Sequence, residues 1–461
     1  MTPLQRELER MLPAEDRLLD PADCWAYGAD NSRLHAPPDA VAFARDPQGI
    51  VELVRLCRRL RAPLIMRGRG TGTTGAVVPL QGGLVLSTER MNRIVEVDPD
   101  NRWLVAEPGA TNAEVQAAAG RHGFFWPPDP TSSAYCTVGG NLAYNSAGPR
   151  AVKYGTPREN TLGLAAVAGT GAALRTGVYT TKGVVGYDLT RLLIGSEGTL
   201  AVITEASLRL TPLPETRRLL QAVYRDMHAA AAAVARIMAQ PVTPCALEFM
   251  DAAAIDMIRG YADSELPEHA GALLMIEVDG AASQIGFAAE AVATAARGDG
   301  CLGIEVATSD ADADRLWRTR KALSPALRNI APKKINEDVV VPVSRIPALI
   351  DGLGELGRRH GIRIVNFGHA GNGNIHVNLL VDPDDPVQMQ AAEQCLDEVF
   401  GLVLRLRGTL SGEHGVGLVK REFIRRELDP EALALMHGLR RVFDPDGIMN
   451  PGKGLPGPDA T

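Results

Sequence analysis

Two short segments in the second half of the chain carry residues whose types and spacing could do metal and acid–base chemistry. HAGNGNIHVN places His369 and His376 around a glycine turn, and SGEHGVG places Glu413 beside His414. Two neutral imidazoles and a carboxylate form a recognised divalent-metal ligand set that leaves a position for a substrate oxygen. An isolated H-x6-H spacing would indicate only hydrogen-bonded histidines at loop ends, but the additional E-H-G favours a site.

The local elements must bring these side chains to one place. If NIHVN is a strand, its period of two puts Asn374, His376 and Asn378 on one polar face, as in the wall of a site. Glu413 and His414 are adjacent, so an extended backbone would point them in opposite directions. The glycines that flank this pair permit a turn, in which one residue could bind a metal while the other acts as a base. Histidine suits that role because its unperturbed pKa is about 6.5.

A glycine-rich loop in the first half suggests a second kind of chemistry. RGRGTGTTG fits G-x-G-x-x-G at Gly70, Gly72 and Gly75. In a Rossmann unit a helix would follow, but Pro79 would interrupt it almost at once. We therefore predict a loop whose backbone N–H groups form a nest around a diphosphate. A glycine-rich surface turn is the alternative for this loop taken alone.

The surrounding pattern predicts mixed helix and strand. We expect a polar amphipathic helix over residues 1–20, a strand at Ala40 to Phe43, and helices capped by Asp46 and Thr111. Short strands are expected in PLIMRG, GGLVLST, RIVEVD and WLVAEPG. After the TPLPET linker, longer helical runs alternate with strand candidates, which suggests a second domain whose helices cover one sheet.

Composition limits the class of protein. The 461 residues are 45% hydrophobic and 22% charged, which is typical of two or three packed soluble domains. A net charge of −7 argues against nucleic acid as a partner. No apolar stretch is long enough to span a bilayer, no signal peptide is evident, and the six cysteines include no C-x-x-C pair. We expect a cytoplasmic protein, with peripheral association with the inner membrane left open.

At this point the first half resembles the FAD-binding domain of the vanillyl-alcohol oxidase/p-cresol methylhydroxylase (PCMH) superfamily. The resemblance rests on RGRGTGTTG, DPTSSAYCTVGGNLAYNSAGPRAVKYG, GYDLTRLLIGSEGTLAVIT and the terminal NPGK. The loop contains no histidine or cysteine for covalent attachment, so the resemblance implies non-covalent FAD; Cys136 is expected to be a packing residue. The implied FAD contacts are Arg67, Gly68, Arg69, Gly70, Thr71, Gly72, Asp129, Pro130, Thr131, Ser132, Gly139, Gly140, Asn145, Ala147, Gly148, Gly195, Glu197, Gly198, Ile203 and Asn450.

The second half resembles the FAD-linked D-2-hydroxyacid dehydrogenases, through Gly368–His376 and the E-H-G of Glu413–Gly415. The resemblance implies that His369, His376 and Glu413 bind zinc, with manganese as an alternative, and that His414 is the base. Asn372 stands where the family commonly has Asp, which removes a charge beside the metal. The resemblance also implies that Arg320, which follows Trp317, pairs with the substrate carboxylate. Ser324, one helical turn later, Lys334 as another carboxylate contact, and Asn378, on the same face as His376, are further candidates for substrate binding.

The resemblance implies an α+β chain in four segments. These are an N-terminal helical segment (1–37), a two-part PCMH-type FAD-binding domain (38–214), a substrate or cap domain (215–410) and a C-terminal segment (411–461) whose helical tail returns to the FAD domain.

The implied activity is oxidation of a D-2-hydroxy acid, D-lactate first, to the 2-oxo acid. A glycolate oxidase-like enzyme and a D-2-hydroxyglutarate dehydrogenase are alternatives, as is a flavin-binding assembly subunit without activity. A zinc hydrolase would require the FAD motifs to be accidental. The electron acceptor, whether an electron-transfer flavoprotein, a cytochrome or a quinone, is not identified, and a homodimer is left open.

Overall fold

The computed structural model describes residues 1–261, 266–309, 311–313, 315–317 and 333–457. The chain forms two compact units. The first comprises Met1–Gly148, Gly155–Leu213 and Glu413–Thr461, and the second comprises Pro149–Tyr154 and Pro214–Gly412. The domain boundaries derived from the sequence stay a prediction.

The first unit begins with a four-stranded sheet of order β1-β2-β4-β3, in which β2, β4 and β3 are parallel and β1 is antiparallel to β2. Its elements are α1 (Pro3–Met11), β1 (Arg17–Leu18), α2 (Pro21–Cys24), β2 (Ala40–Phe43), α3 (Pro47–Leu60), β3 (Leu64–Arg67) and β4 (Leu84–Ser87). The side chain of Asp46 caps α3 by accepting from the backbone N–H of Gly49, as predicted. Apolar residues of α3, such as Ile50 and Val54, are fully buried in the core of this sheet.

The helix predicted over residues 1–20 is shorter in the structure. It ends at Met11, and Leu12 is extended with φ −117° and ψ 144°. The cause is Pro13, because a proline disfavours helical backbone in the residue before it. Leu4 and Leu8 nevertheless enter the core, and β1 joins the sheet.

A second, antiparallel sheet of order β5-β6-β10-β8-β9 completes the layered part of the first unit, and β7 pairs with β11 beside it. The elements along this stretch are β5 (Ile94–Asp98), β6 (Trp103–Ala106), α4 (Asn112–Gly120), β7 (Phe124–Phe125), α5 (Val138–Tyr144), α6 (Ala151–Tyr154), β8 (Thr161–Ala168), β9 (Ala173–Gly177), α7 (Leu189–Leu193), β10 (Ala201–Arg209) and β11 (Thr211–Pro212). Of these, α6 belongs to the second unit. Thr111 and Glu114 form the capping box of α4, which agrees with the predicted cap.

The second unit contains a seven-stranded antiparallel sheet of order β15-β12-β14-β13-β17-β18-β16. Its further elements are β12 (Thr216–Tyr224), α8 (Met227–Ala239), β13 (Ala246–Asp251), α9 (Ala252–Tyr261), β14 (Ala272–Gly280), α10 (Ile285–Ala296), β15 (Cys301–Val306), β16 (Lys333–Val340), α11 (Ile346–His360), β17 (Arg363–His369), β18 (Asn374–Val381) and α12 (Pro386–Arg405). Helices α8, α10, α11 and α12 contact one another or the strands, and α9 packs in an apolar cluster with Met250 and Phe367.

The C-terminal segment returns to the first unit, as predicted. After α13 (Pro430–Phe443), Ile448 and Met449 enter the core of the first sheet. Leu64 of β3 donates to the carbonyl of Ile448 and accepts from the N–H of Asn450, both at 2.8 Å. The predicted α+β fold is therefore confirmed. Among the described residues, no helix is long and apolar enough to cross a membrane.

Candidate functional site

Two adjoining cavities lie within the first unit and share the walls formed by Gly68, Val77, Gly140 and Tyr144. The smaller encloses about 620 Å³ of empty space and the larger about 940 Å³, part of each open to solvent. The larger cavity is lined mostly by glycines, hydroxyl residues and the exposed Arg69, and the smaller by apolar side chains.

Most of the residues predicted to contact FAD line one of these cavities. They come from four separate stretches of the sequence that fold together. They are Arg67, Gly68, Arg69, Gly70, Thr71, Gly72, Pro130, Thr131, Ser132, Gly139, Gly140, Glu197, Gly198, Ile203 and Asn450.

The other predicted FAD contacts do not line either cavity. They are Asp129, Asn145, Ala147, Gly148 and Gly195. Asn145 instead accepts hydrogen bonds from the hydroxyl of Thr156 at 3.0 Å and from the N–H of Arg158 at 3.1 Å. Gly148 has φ +76°, and a Cβ there would lie 2.3 Å from the carbonyl oxygen of Asp129. These positions shape the loops behind the cavity walls.

The two arginines of the glycine loop differ in their surroundings. The guanidinium of Arg67 donates to the carbonyls of Ala29 at 2.6 Å and Ala26 at 3.3 Å, and burial lowers the pKa of this side chain. Its side chain is therefore engaged by the protein itself. Arg69 is exposed and lines the larger cavity, where a guanidinium could pair with an anionic group.

The segment that carries His414 is fixed to the first unit by a buried carboxylate. Glu197, whose backbone is left-handed with φ +51°, accepts from the N–H groups of Val416 at 2.5 Å and Gly417 at 2.8 Å. Burial raises the pKa of Glu197. The hydroxyl of Thr74 also donates to the carbonyl of His414, at 3.3 Å. Glu197, which we predicted as an FAD contact, thus has its carboxylate committed to the His414 segment.

Glu413 and His414 both line the larger cavity. The backbone bends through this pair, and the following Gly415 has φ +80°, a conformation that favours glycine. The turn that the flanking glycines were expected to permit is therefore present. The carboxylate of Glu413 accepts from the N–H of Gly148 at 2.9 Å.

A buried amide and amine support the opposite side of the smaller cavity. The side-chain amide of Asn450 donates to the carbonyls of Ala76 at 2.9 Å and Glu197 at 2.7 Å. The ammonium of Lys453, only 1% exposed, donates to the amide oxygen of Asn450 at 3.1 Å. Burial lowers the pKa of Lys453 to about 8.

The first unit fits FAD. The joined cavities offer backbone-lined space, hydroxyl donors and the cationic Arg69 at one end and apolar walls at the other, which suits a diphosphate and a planar ring system. Cys136 lines the larger cavity, but burial raises the pKa of its thiol and so disfavours the reactive thiolate.

The two predicted metal-binding histidines are neighbours in the second unit. His369 ends β17 and His376 lies in β18, and both are 8% exposed. Their ring centroids are 5.2 Å apart with an interplanar angle of 83°. The Nδ1 atom of His369 contacts the carboxylate of Glu248, which is buried in β13. The chemistry of this donor set fits a divalent ion that takes nitrogen and oxygen ligands.

The predicted substrate contacts are only partly placed. Arg320 and Ser324 lie outside the described residues. Lys334 is an exposed residue of β16. Asn378 is fully buried, and its amide is occupied: it accepts from Asn336 at 2.9 Å and donates to the carbonyls of Val365 and His376 at 3.1 and 3.0 Å. Its bonding supports the sheet around His376.

Sequence reasoning missed two groups of residues. One is a set of cavity-wall residues that were not among the predicted FAD contacts: Met66, Ala76, Val77, Thr88, Pro108, Ala143 and Tyr144. The other is Glu248. Its signal was a carboxylate in the otherwise apolar run CALEFM, which is a position where a buried charge needs a partner.

Comparisons with known proteins match both halves of the chain. Residues 38–177 match the model described as FAD binding domain, and residues 213–454 match FAD linked oxidases, C-terminal domain. The chain is 38% identical to the glycolate oxidase subunit GlcD of Bacillus subtilis (strain 168), over 93% of this chain and 91% of that protein. It is 35% identical to D-lactate dehydrogenase of Archaeoglobus fulgidus, over 94% of this chain and 96% of that protein.

Among solved structures, p-cresol methylhydroxylase with substrate bound is similar with a TM-score of 0.80 at 16% identity, covering 98% of this chain and 96% of that one. This likeness shows the PCMH-type fold. The two family models and these relatives agree, and the chain belongs to the family of FAD-linked oxidoreductases that includes glycolate oxidase subunit GlcD and D-lactate dehydrogenase.

Proposed function

We propose that this protein is an FAD-dependent dehydrogenase that oxidises a D-2-hydroxy acid, with D-lactate as the leading substrate, to the 2-oxo acid. The observation that carries the proposal is the position of Glu413 and His414 on the wall of the larger cavity of the flavin unit. An imidazole at that wall is suited to remove a proton from a substrate lying in front of it.

The proposal includes a divalent metal held by His369, His376 and Glu413, with zinc preferred and manganese as the alternative. The adjacent buried histidines support it, since two imidazoles beside a carboxylate are typical metal ligands. Chain connectivity supports the third ligand. Asp338 lies opposite His376 in the sheet and accepts from the N–H of Gly412 at 2.7 Å, and Glu413 is the next residue. Such an ion would stabilise the developing alkoxide of the substrate.

The residues of the chain divide the remaining work. His414 takes the proton of the substrate hydroxyl, while Arg320 and Lys334 hold the substrate carboxylate, with Ser324 as a further contact. The occupied amide of Asn378 instead holds the sheet around His376. A guanidinium suits a carboxylate because it can donate two parallel hydrogen bonds. Bound FAD would supply the acceptor for the hydride that leaves the substrate Cα. The substrate thus loses two electrons and two hydrogens, one as a proton and one as hydride.

Glycolate is the second candidate substrate, because relatives from Bacillus subtilis and Escherichia coli carry the name glycolate oxidase subunit. The word subunit in those names also makes a multi-subunit assembly a reasonable alternative. D-2-hydroxyglutarate is a further candidate substrate. We also propose that the protein can form a homodimer, and that an electron-transfer flavoprotein, a cytochrome or a quinone accepts the electrons from reduced FAD.

The proposal is tested by mixing the purified protein anaerobically with D- and L-2-hydroxy acids and with glycolate while flavin absorbance is followed. We expect bleaching by one D-2-hydroxy acid or by glycolate and not by the L-enantiomers. His414→Ala should retain bound flavin but slow bleaching about 100- to 10,000-fold, the usual range for a lost general base. The exposed His122→Ala is the matched control and should bleach like the wild type. Unchanged bleaching in His414→Ala would refute the base assignment.

Removal of the metal tests the second part of the proposal. Prolonged chelation should abolish bleaching while the flavin stays bound, and re-addition of zinc or manganese should restore it. Bleaching at the original rate by protein shown to be metal-free would exclude a catalytic ion.

A further inference from the structure

A buried carboxylate on the central sheet of the second unit has no role in the function proposed so far. Glu248 lies in the middle of β13 and is 3% exposed. Removing a charged carboxylate from water is costly unless it is paired and hydrogen-bonded. A buried glutamate at this position therefore needs a specific partner.

The sheet register supplies that partner. Strands β13 and β17 are antiparallel neighbours, and Glu248 is directly opposite His369. Directly opposed residues of an antiparallel pair project from the same face, with their Cβ atoms about 4.5 to 5.5 Å apart. The carboxylate oxygen Oε1 of Glu248 contacts Nδ1 of His369, so the two side chains are hydrogen-bonded.

This contact decides which nitrogen of His369 remains for another ligand. A carboxylate accepts and does not donate, so Nδ1 carries the hydrogen and the lone pair is on Nε2. A carboxylate bound to the far nitrogen of a metal-binding histidine fixes its tautomer and ring orientation and increases its basicity.

We propose that Glu248 is the positioning residue for His369, holding the imidazole so that Nε2 is presented to a divalent metal. The inference rests on the proposed function, because the ion belongs to that function.

Asp251, a second buried carboxylate on the same strand, has a purely structural role and can be compared with Glu248. Asp251, 6% exposed, accepts from the backbone N–H of Asn366 at 3.0 Å and from its side-chain amide at 2.8 Å. That arrangement joins two strands through neutral donors. Glu248 instead contacts a titratable ring that has a second histidine beside it. Asp251→Asn is therefore the matched control for loss of a buried charge from β13.

The test measures metal affinity and does not depend on turnover. The full-length protein is stripped of metal and titrated with Zn²⁺, and in a second series with Mn²⁺, against a competing chelator. Glu248→Ala should weaken binding of the ion that the wild type holds by about 10- to 100-fold, the usual effect of removing such a partner. Glu248→Gln keeps an oxygen acceptor without the charge and should give an intermediate loss. Asp251→Asn should bind metal like the wild type. Flavin content and thermal unfolding show that each variant is folded, and Glu248→Gln carries the test if Glu248→Ala does not fold.

Two results would overturn the inference, and they can be told apart. If the wild type binds metal and both Glu248 variants bind it equally tightly, Glu248 does not position a ligand, although the proposed metal site survives. If the wild type binds neither ion, the metal of the proposed function fails and this inference fails with it. A loss in Asp251→Asn equal to that in the Glu248 variants would also overturn it, because the effect would then be general to the strand.

Discussion

Replacing Glu197 by Gln should loosen the segment that carries His414. The carboxylate accepts two backbone hydrogen bonds, from Val416 at 2.5 Å and from Gly417 at 2.8 Å. Gln has one acceptor oxygen, so one of these N–H groups would face the amide NH₂ and lose its acceptor. Leaving one buried donor unsatisfied costs about 1–3 kcal/mol. A loss of this size would also allow the segment to leave its position for part of the time.

The assay combines stability with flavin reduction. Urea unfolding of Glu197→Gln should show the loss of about 1–3 kcal/mol, and bleaching by substrate should slow although His414 is still present. Glu107→Gln is the matched control. Glu107 is 4% exposed, accepts from the N–H of Arg93 at 2.9 Å, and pairs with that guanidinium. It lines neither cavity, so its replacement should cost stability and leave the bleaching rate unchanged.

Two experimental results would contradict the proposed role of Glu197 in holding the His414 segment. Unchanged stability and unchanged bleaching in Glu197→Gln would show that its two hydrogen bonds do not hold the segment. Equal slowing in Glu107→Gln would show that bleaching responds to general destabilisation.

Two further predictions concern a residue that supports a cavity wall, Lys453, and a residue of the wall itself, Gly68. The pKa of Lys453 is about 8 in the folded protein against 10.5 for an ordinary lysine, so between these pH values the unfolded chain binds more protons and wild-type stability rises with pH. Lys453→Met should flatten that part of the urea-unfolding profile. At neutral pH it should also remove a burial cost of up to about 3 kcal/mol, less about 1 kcal/mol for the lost bond to Asn450. An unchanged slope would contradict the burial of the charge. Gly68→Ala would place a Cβ 2.4 Å from the hydroxyl oxygen of Thr137 and should lower the free energy of unfolding, followed by thermal denaturation, by about 1–3 kcal/mol. Adding Thr137→Ala should recover part of this loss. Full stability of the single variant would contradict the close packing.

Local signals in the sequence predicted most of the elements. Strands such as Ala40–Phe43 and Leu84–Ser87 are short apolar runs bounded by turn residues, and their bounds follow from those runs. Asp46 and Thr111 identified helix starts because their side chains satisfy backbone donors that have no other partner. The prediction of a helix over residues 1–20 was wrong beyond Met11. The amphipathic spacing continues past this residue, but Pro13 disfavours helical backbone at Leu12 and so ends the helix.

What the sequence could not supply was pairing over long distances. Glu248 and His369 are 121 residues apart and meet only because β13 and β17 are neighbours in the sheet. A single sequence shows the carboxylate and the imidazole, but it does not show the strand register that places Glu248 opposite His369. The apolar walls of the smaller cavity were missed for the same reason. Residues such as Met66, Ala76 and Val77 look like any core residue until the fold brings them to one space.

The path of the chain through the first unit has a consequence for synthesis. Ile448 and Met449 belong to the core built around β2, β3 and β4, yet they are made after the whole second unit. Domains whose sequence is continuous can fold as they leave the ribosome, at about 5–20 residues per second. At that rate, about 10 to 50 seconds pass between synthesis of Val202 and synthesis of Ile448 and Met449, and the core of the first sheet stays incomplete during this interval. Capture of the flavin is thus expected to be among the last events in maturation, and chaperones have an interval in which to shield the unfinished core.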